Sequence, residues 1–256
     1  MTILDALILS AVEGLTEFLP VSSTGHLILT SYLLKISQSA FVKSFEIIIQ
    51  LGAILAVATL YMKKISDRKI FMLAMAGFIP TGAAGLFFYP YVKHLFENTL
   101  LTVIMLFLGG IIMILLELWQ IPRKGKSVMQ LQHIGIKKAL LIGTIQTVSM
   151  VPGVSRAAAT IIGGLFLGLN RKTATEYSFI LAVPTILAAS LLDIFKSNWV
   201  AQKQEIILLT AGFAGAYLTA LLSIRILLAY LKRHTFLAFG VYRIILAVIF
   251  FLIIAG

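Results

Sequence analysis

Apolar residues occupy the chain in long runs, and polar residues gather in the gaps between them. From the N-terminus the runs come as two short and three long ones, and then in the same order again. The first short pair covers about 3–19 and 26–36 and is broken by PVSSTG; long runs follow at 41–62, 70–89 and 100–119. The polar, basic stretch QIPRKGKSVMQLQH leads into a second short pair at 139–151 and 157–169, broken by PGVSR, and then into long runs at 175–195, 206–231 and 236–255. Each long run approaches or exceeds the roughly 20 apolar residues with which a helix crosses a ~30 Å hydrocarbon core. The inner runs of the short pairs have only about a dozen, below the roughly 17 required. Each short pair is therefore expected to be a re-entrant hairpin whose breakpoint lies inside the membrane.

This pattern predicts an all-α polytopic membrane protein with a single membrane domain over 1–256, made of two halves at about 1–120 and 134–256. Each half holds a re-entrant helix hairpin plus three transmembrane helices. Three crossings is an odd number, so the second half is expected upside down relative to the first, an inverted repeat. The basic residues agree. With the loop MKKISDRK on the cytoplasmic side, alternation collects 13 Lys and Arg there and leaves Lys35, Lys43, Lys93, Lys196 and Lys203 opposite. That bias places both termini outside; it would be the same if the short pairs were complete hairpin crossings, and only their length favours re-entry. The halves also echo one another: Pro20, Ser22, Ser23 and then Glu46 in one, Pro152, Ser155, Arg156 and then Glu176 in the other. Inverted repeats with broken helices place a site near the midplane, where the halves meet.

Composition narrows the class. The chain is 60% hydrophobic and 12% charged, about half the charged share of a soluble domain, and its mean hydropathy is +1.02. Cysteine is absent, which excludes disulfides, thiol catalysis and cysteine-type metal sites. The net charge of +11 is read as cytoplasmic loops beside anionic headgroups rather than as a nucleic-acid surface. Asp5 stands where a signal peptide carries its basic region and no small-residue cleavage site follows, so a cleaved leader is not expected.

Against this background EGLTEFLPVSSTGH (13–26) concentrates ionisable and helix-breaking residues. Backbone that leaves helical form inside a bilayer must be buried in protein or line a wet cavity, so the two breaks imply a polar interior. Glu13 and Glu17, four apart, share a helix face, and Arg156 in the opposite break is their expected partner. One of Ser22, Ser23 and Thr24 is expected to cap the helix that follows. His26, three residues beyond Ser23, can approach it on a helical turn and offers a base or proton donor. PGVSR has the form of an anion cradle, with Gly153 freeing the backbone, a helix N-terminus aimed into the break, and the planar fork of Arg156. Together these groups suit cleavage of a phosphate ester or anhydride, with the carboxylates positioning His26 or binding a divalent cation. The substrate must enter a cavity in the membrane, so a lipid phosphate is the natural class. Glu46 and Gln50 share a helix face and are expected to line the cavity, as are Glu176 and Ser178. Arg225 and Arg243 are read as pairing with carboxylates or snorkelling, and Glu117, Asp193 and Lys232 as interface residues. Small residues in GFAGAY and FLGG suit close helix packing.

At the two breaks the chain resembles the undecaprenyl-diphosphate phosphatases, the bacitracin-resistance family. The resemblance rests on EGLTEFLPVSSTGHL, FEIIIQLGAILAV, PGVSR followed by Thr160, SFILAVP and FLAFGVYRIILA, and covers essentially the whole chain. It implies hydrolysis of undecaprenyl diphosphate to the monophosphate carrier lipid of bacterial cell-wall synthesis. It also implies a multi-pass protein of the bacterial plasma membrane with its active site open to the outer face, a divalent cation (calcium or magnesium), and a homodimer. Carried over, Ser23 is the nucleophile, His26 its acid/base partner and Arg156 the diphosphate clamp. Glu17 with Glu13 orients His26 or binds the cation, and Ser155 and Thr160 complete the cradle, with Ser22 and Thr24 as further phosphate-binding hydroxyls. One departure stands out: the family continues from the arginine with Ser-Gly, where this chain has Ala157 and Ala158. The competing reading is a transporter or flippase of polyprenyl phosphate lipids, which needs an anion clamp but no serine nucleophile.

Overall fold

The computed structural model describes residues 1–95, 98–120, 130–196 and 202–255. Among these the chain forms ten α-helices and no strand. Arg123, Lys124 and Lys126, three of the basic residues assigned to the cytoplasmic side, lie outside the described residues. The helices are α1 (Ile3–Thr16), α2 (Ser23–Leu33), α3 (Ala40–Ile65), α4 (Arg68–Leu95), α5 (Thr99–Gln120), α6 (Ile136–Gln146), α7 (Arg156–Phe166), α8 (Arg171–Lys196), α9 (Lys203–Tyr230) and α10 (Leu237–Ala255). The order short, short, long, long, long thus occurs twice, as the apolar runs predict.

Six helices, α3 to α5 and α8 to α10, are long and apolar enough to cross a membrane. At a rise of about 1.5 Å per residue the four short helices reach only about 16–21 Å. Large apolar side chains such as Phe87, Leu86, Phe195, Ile207 and Leu218 cover the outside of the long helices. A soluble protein does not expose so much contiguous apolar surface, whereas a multi-pass membrane protein presents it to lipid.

Several helices outrun the apolar pattern. α4 begins at Arg68 and continues through Pro80 and Pro90 to Leu95, and α8 begins at Arg171, because polar residues at the membrane edge still propagate a helix. α3 and α4 are separated by only Ser66 and Asp67, whose carboxylate accepts from the Lys69 and Ile70 N–H groups at 2.9 and 3.1 Å. The opposite correction holds at the first break, where α1 stops at Thr16 although the apolar run continues to 19.

The long helices bring the short pairs together. α1 lies along α9, where Ser223 Oγ donates to the Leu15 carbonyl at 2.7 Å. α6 lies along α4 in the corresponding way, with Thr81 Oγ1 donating to the Gly143 carbonyl at 2.9 Å. α3 packs on α8 and α5 on α10. Under the breaks sits an aromatic cluster in which Phe18 meets Phe179 edge-on at 5.5 Å, and Phe179 meets Tyr61 at 6.1 Å.

Candidate active site

Pro20 has no N–H to donate, and it disfavours helical backbone at the residue before it, which explains why α1 gives way to a turn over 17–21. The Glu17 N–H still reaches the Glu13 carbonyl at 2.8 Å, so the two glutamates remain one turn apart on one face. α2 then starts at Ser23, capped by Ser22, and α7 starts at Arg156, capped by Ser155. Both caps have positive φ, 72° at Ser22 and 73° at Ser155, a conformation that costs a non-glycine residue about 1–3 kcal/mol. The two breaks therefore share a backbone device: a strained serine followed by the first residue of a short helix. In one case that first residue is Ser23, in the other Arg156. Gly153 has φ +92°, and a Cβ there would lie 2.3 Å from the Thr102 carbonyl oxygen.

The charges meet across the breaks. Arg156 Nε and Nη2 donate to Glu17 Oε1 at 3.3 and 3.2 Å, and Nη1 donates to the Ser178 carbonyl at 3.0 Å. The guanidinium lies over the Phe18 ring, 5.8 Å from its centroid. The other Glu17 oxygen accepts a hydrogen bond of 2.5 Å from Ser23 Oγ. Arginine, carboxylate and serine thus form a continuous chain, and in it the hydroxyl proton already points at a base.

His26 does not occupy that position. It was expected as the hydrogen-bond partner of Ser23, but its Nδ1 lies 2.7 Å from the Ser22 carbonyl and its Nε2 lies 2.7 Å from the Tyr242 hydroxyl. The turned backbone at Ser22 carries the Ser23 side chain towards α1 instead. Glu17, for its part, is bonded to Ser23 and Arg156, and neither His26 nitrogen reaches it.

Glu13 is wholly buried, and neither of its oxygens meets a hydrogen-bond donor among the described residues. An unpartnered carboxylate in a dry interior is costly. Its position one turn from Glu17 makes a pair of oxygen donors of the kind that hard divalent cations take. No group of three or more His, Asp or Glu side chains converges among the described residues, so a cation here would complete its shell with substrate oxygens or water. On these terms the residues fit such an ion.

The hydroxyls of Ser22, Ser155 and Thr160 are already engaged. Ser22 Oγ accepts from the Gly25 N–H at 3.4 Å and Ser155 Oγ from the Ala158 N–H at 3.2 Å. Thr160 Oγ1 lies 2.9 Å from the Arg156 carbonyl and 2.6 Å from Ser178 Oγ. Thr24 is half-buried on the first turn of α2. Glu46 and Gln50 are half-buried on α3, and Glu46 accepts from Gln38 at 3.4 Å. Ser178 belongs to the site, but Glu176 turns away to pair with Lys64 at 2.7 Å. Ala157 and Ala158 are buried in α7.

Arg243 neither pairs with a carboxylate among the described residues nor snorkels. It lies on α10 and is fully buried. Its five N–H groups go to five carbonyls: Leu106 at 3.3 Å, Pro20 at 3.2 Å, Val154 at 3.1 Å, Met105 at 3.2 Å and Gly153 at 2.8 Å. One guanidinium therefore ties both breaks to α5 and α10. The available signal was an arginine in the middle of an apolar span, a placement that calls for a specific partner. Tyr242, the partner of His26, is the side chain that the sequence reading does not single out. Glu117, read as an interface residue, is buried near the end of α5: it accepts from Arg171 Nε at 3.1 Å and from Nη2, and caps the Phe236 N–H at 2.9 Å.

Comparison with known proteins adds an independent line. The family model described as Bacitracin resistance protein BacA matches residues 6–249. The chain is 48% identical over 252 residues to the undecaprenyl-diphosphatase of Sulfurihydrogenibium sp., covering 98% of this chain and 99% of that one. It is 45% identical over 252 residues to the undecaprenyl-diphosphatase of Aquifex aeolicus, covering 98% of each. With the undecaprenyl-diphosphatase of Campylobacter jejuni it shares 46% over 250 residues, 97% of this chain and 93% of that one.

Proposed function

From the premise that this chain belongs to the Bacitracin resistance protein BacA family, we infer that it hydrolyses undecaprenyl diphosphate to undecaprenyl phosphate and inorganic phosphate. The observation that carries this reading within the structure is the 2.5 Å bond from Ser23 to Glu17, itself held by Arg156. A carrier needs a clamp for an anion but has no use for a serine hydroxyl aimed at a buried carboxylate.

In the proposed reaction the diphosphate enters between the breaks and Arg156 holds its oxygens. Ser23 Oγ attacks the terminal phosphorus as Glu17 takes its proton, and the bond from phosphorus to the bridging oxygen breaks, releasing undecaprenyl phosphate. Water then displaces the phosphate from Ser23, its proton passing to His26 while Glu17 returns its own to Ser23 Oγ. Glu13 and Glu17 are the residues that would hold a calcium or magnesium ion, which would neutralise phosphate charge. Because the Ser22, Ser155 and Thr160 hydroxyls have partners of their own, their contribution is to shape the two helix starts around the phosphate. Most of the rate enhancement in phosphoryl transfer comes from such positioning and charge stabilisation.

The protein works in the bacterial plasma membrane as one domain of two oppositely inserted halves. Both termini and the mouth of the site face outside, and the active form is a homodimer. The test is phosphate release from undecaprenyl diphosphate by purified, metal-stripped protein, with and without calcium or magnesium. Ser23→Ala should lower turnover by at least about a thousandfold while leaving lipid binding intact. Full turnover in that variant would refute the nucleophile assignment.

A further inference from the structure

His26 is held at both ring nitrogens, and the two partners differ in kind. The Ser22 carbonyl, 2.7 Å from Nδ1, can only accept, so in the neutral ring Nδ1 carries the hydrogen. Nε2 then keeps the lone pair, and the Tyr242 hydroxyl 2.7 Å away donates to it. The rings lie nearly parallel, with centroids 5.6 Å apart and planes at 10°. Tyr242 comes from α10, is 44% exposed, and directly precedes Arg243, the residue that ties α10 to both breaks. The same helix therefore fixes the breaks through one side chain and the imidazole through its neighbour.

We propose that Tyr242 is the partner through which His26 works: the Ser22 carbonyl sets the Nδ1–H tautomer, and the Tyr242 hydroxyl holds the ring by Nε2 and passes on the proton that Nε2 gains and loses. A phenol suits this task. It donates to a bare Nε2 and, after rotation about the C–O bond, accepts from Nε2–H, so neither state of the ring loses its partner. A carboxylate offers only the second arrangement and an ammonium only the first. The charged group nearest in sequence and on the same helix, the Arg243 guanidinium, is fully occupied by carbonyls. The role of Nε2 in turnover rests on the phosphatase reading, whereas the tautomer does not.

The experiment uses the full-length protein in detergent, labelled with ¹⁵N-histidine. The chain has four histidines, and His26→Gln identifies the signals of His26. The wild type should show one Nδ1–H tautomer at His26. Tyr242→Phe, which keeps the stacked ring and removes only the hydroxyl, should keep that tautomer and shift the Nε2 signal, which loses its donor. In phosphate release from undecaprenyl diphosphate, the same variant should lose about tenfold in kcat at unchanged KM, a fraction of what general acid–base catalysis provides. It should add nothing to the loss caused by His26→Gln, whereas a general structural role would act in both backgrounds. An Nε2–H tautomer in the wild type, or unchanged His26 signals in Tyr242→Phe, overturns the proposal whatever the activity. Full kcat in Tyr242→Phe beside an active wild type overturns its catalytic half. No release from the wild type would sink the phosphatase reading and leave the tautomer assignment to the spectra.

Discussion

Arg243→Lys keeps the positive charge of a fully buried side chain and changes only the number and geometry of its donors. Arginine offers five N–H groups in a planar fork and lysine three on a single nitrogen. All five are used here, on the carbonyls of Met105, Leu106, Pro20, Gly153 and Val154. At least two of these contacts must go. A buried acceptor left without a donor costs about 1–3 kcal/mol, so the loss should be roughly 2–6 kcal/mol. The low end applies if the lost partners are Met105 and Leu106, which lie inside α5 and keep helical hydrogen bonds. The high end applies if they are the break carbonyls, which have no helix to fall back on. For a chain of this length each kcal/mol moves Tm by roughly 2–4 °C, so a drop of at least about 4 °C is expected. Turnover should fall as well, since the helix starts at Ser23 and Arg156 are no longer held against each other. The assay is thermal unfolding in detergent followed by intrinsic fluorescence, run beside phosphate release. Arg225→Lys, at an exposed position on α9, is the control and should change neither. An Arg243→Lys protein that melts within about 1 °C of the wild type and turns over fully would refute the view that this side chain holds the breaks.

Two further outcomes follow from the same geometry. Gly109→Ala would place a Cβ 2.2 Å from Arg243 Nη2, so thermal unfolding should register a loss of at least about 1 kcal/mol, the low end for overpacking. A wild-type Tm would mean the guanidinium can shift without cost. Glu13→Gln removes the unpartnered buried charge, so the metal-free protein should be no less stable than the wild type. The rise in Tm that calcium or magnesium gives the wild type by binding the folded state should shrink in the variant. An undiminished rise would move the cation away from Glu13.

Much of the architecture could be read one residue at a time. The lengths of the apolar runs determined which helices are long enough to cross, and the prolines at 20 and 152 marked the two breaks. The clustering of Glu13, Glu17, Ser23 and His26 pointed to the first break as the place of chemistry. These are local quantities: hydropathy and backbone preference depend on neighbours a few residues away. Pairings were not legible in the same way. Spacing placed His26 beside Ser23, but the positive φ at Ser22 turns the serine to Glu17 and leaves the imidazole to Tyr242, 216 residues further along. Glu117 and Arg243, read as edge or pairing charges, are buried because of what segments distant in the chain bring to them. Hydropathy and backbone preference, both local, set where the helices run and where they break. Which donor meets which acceptor is settled to within a few tenths of an ångström by packing between helices that are distant in the chain.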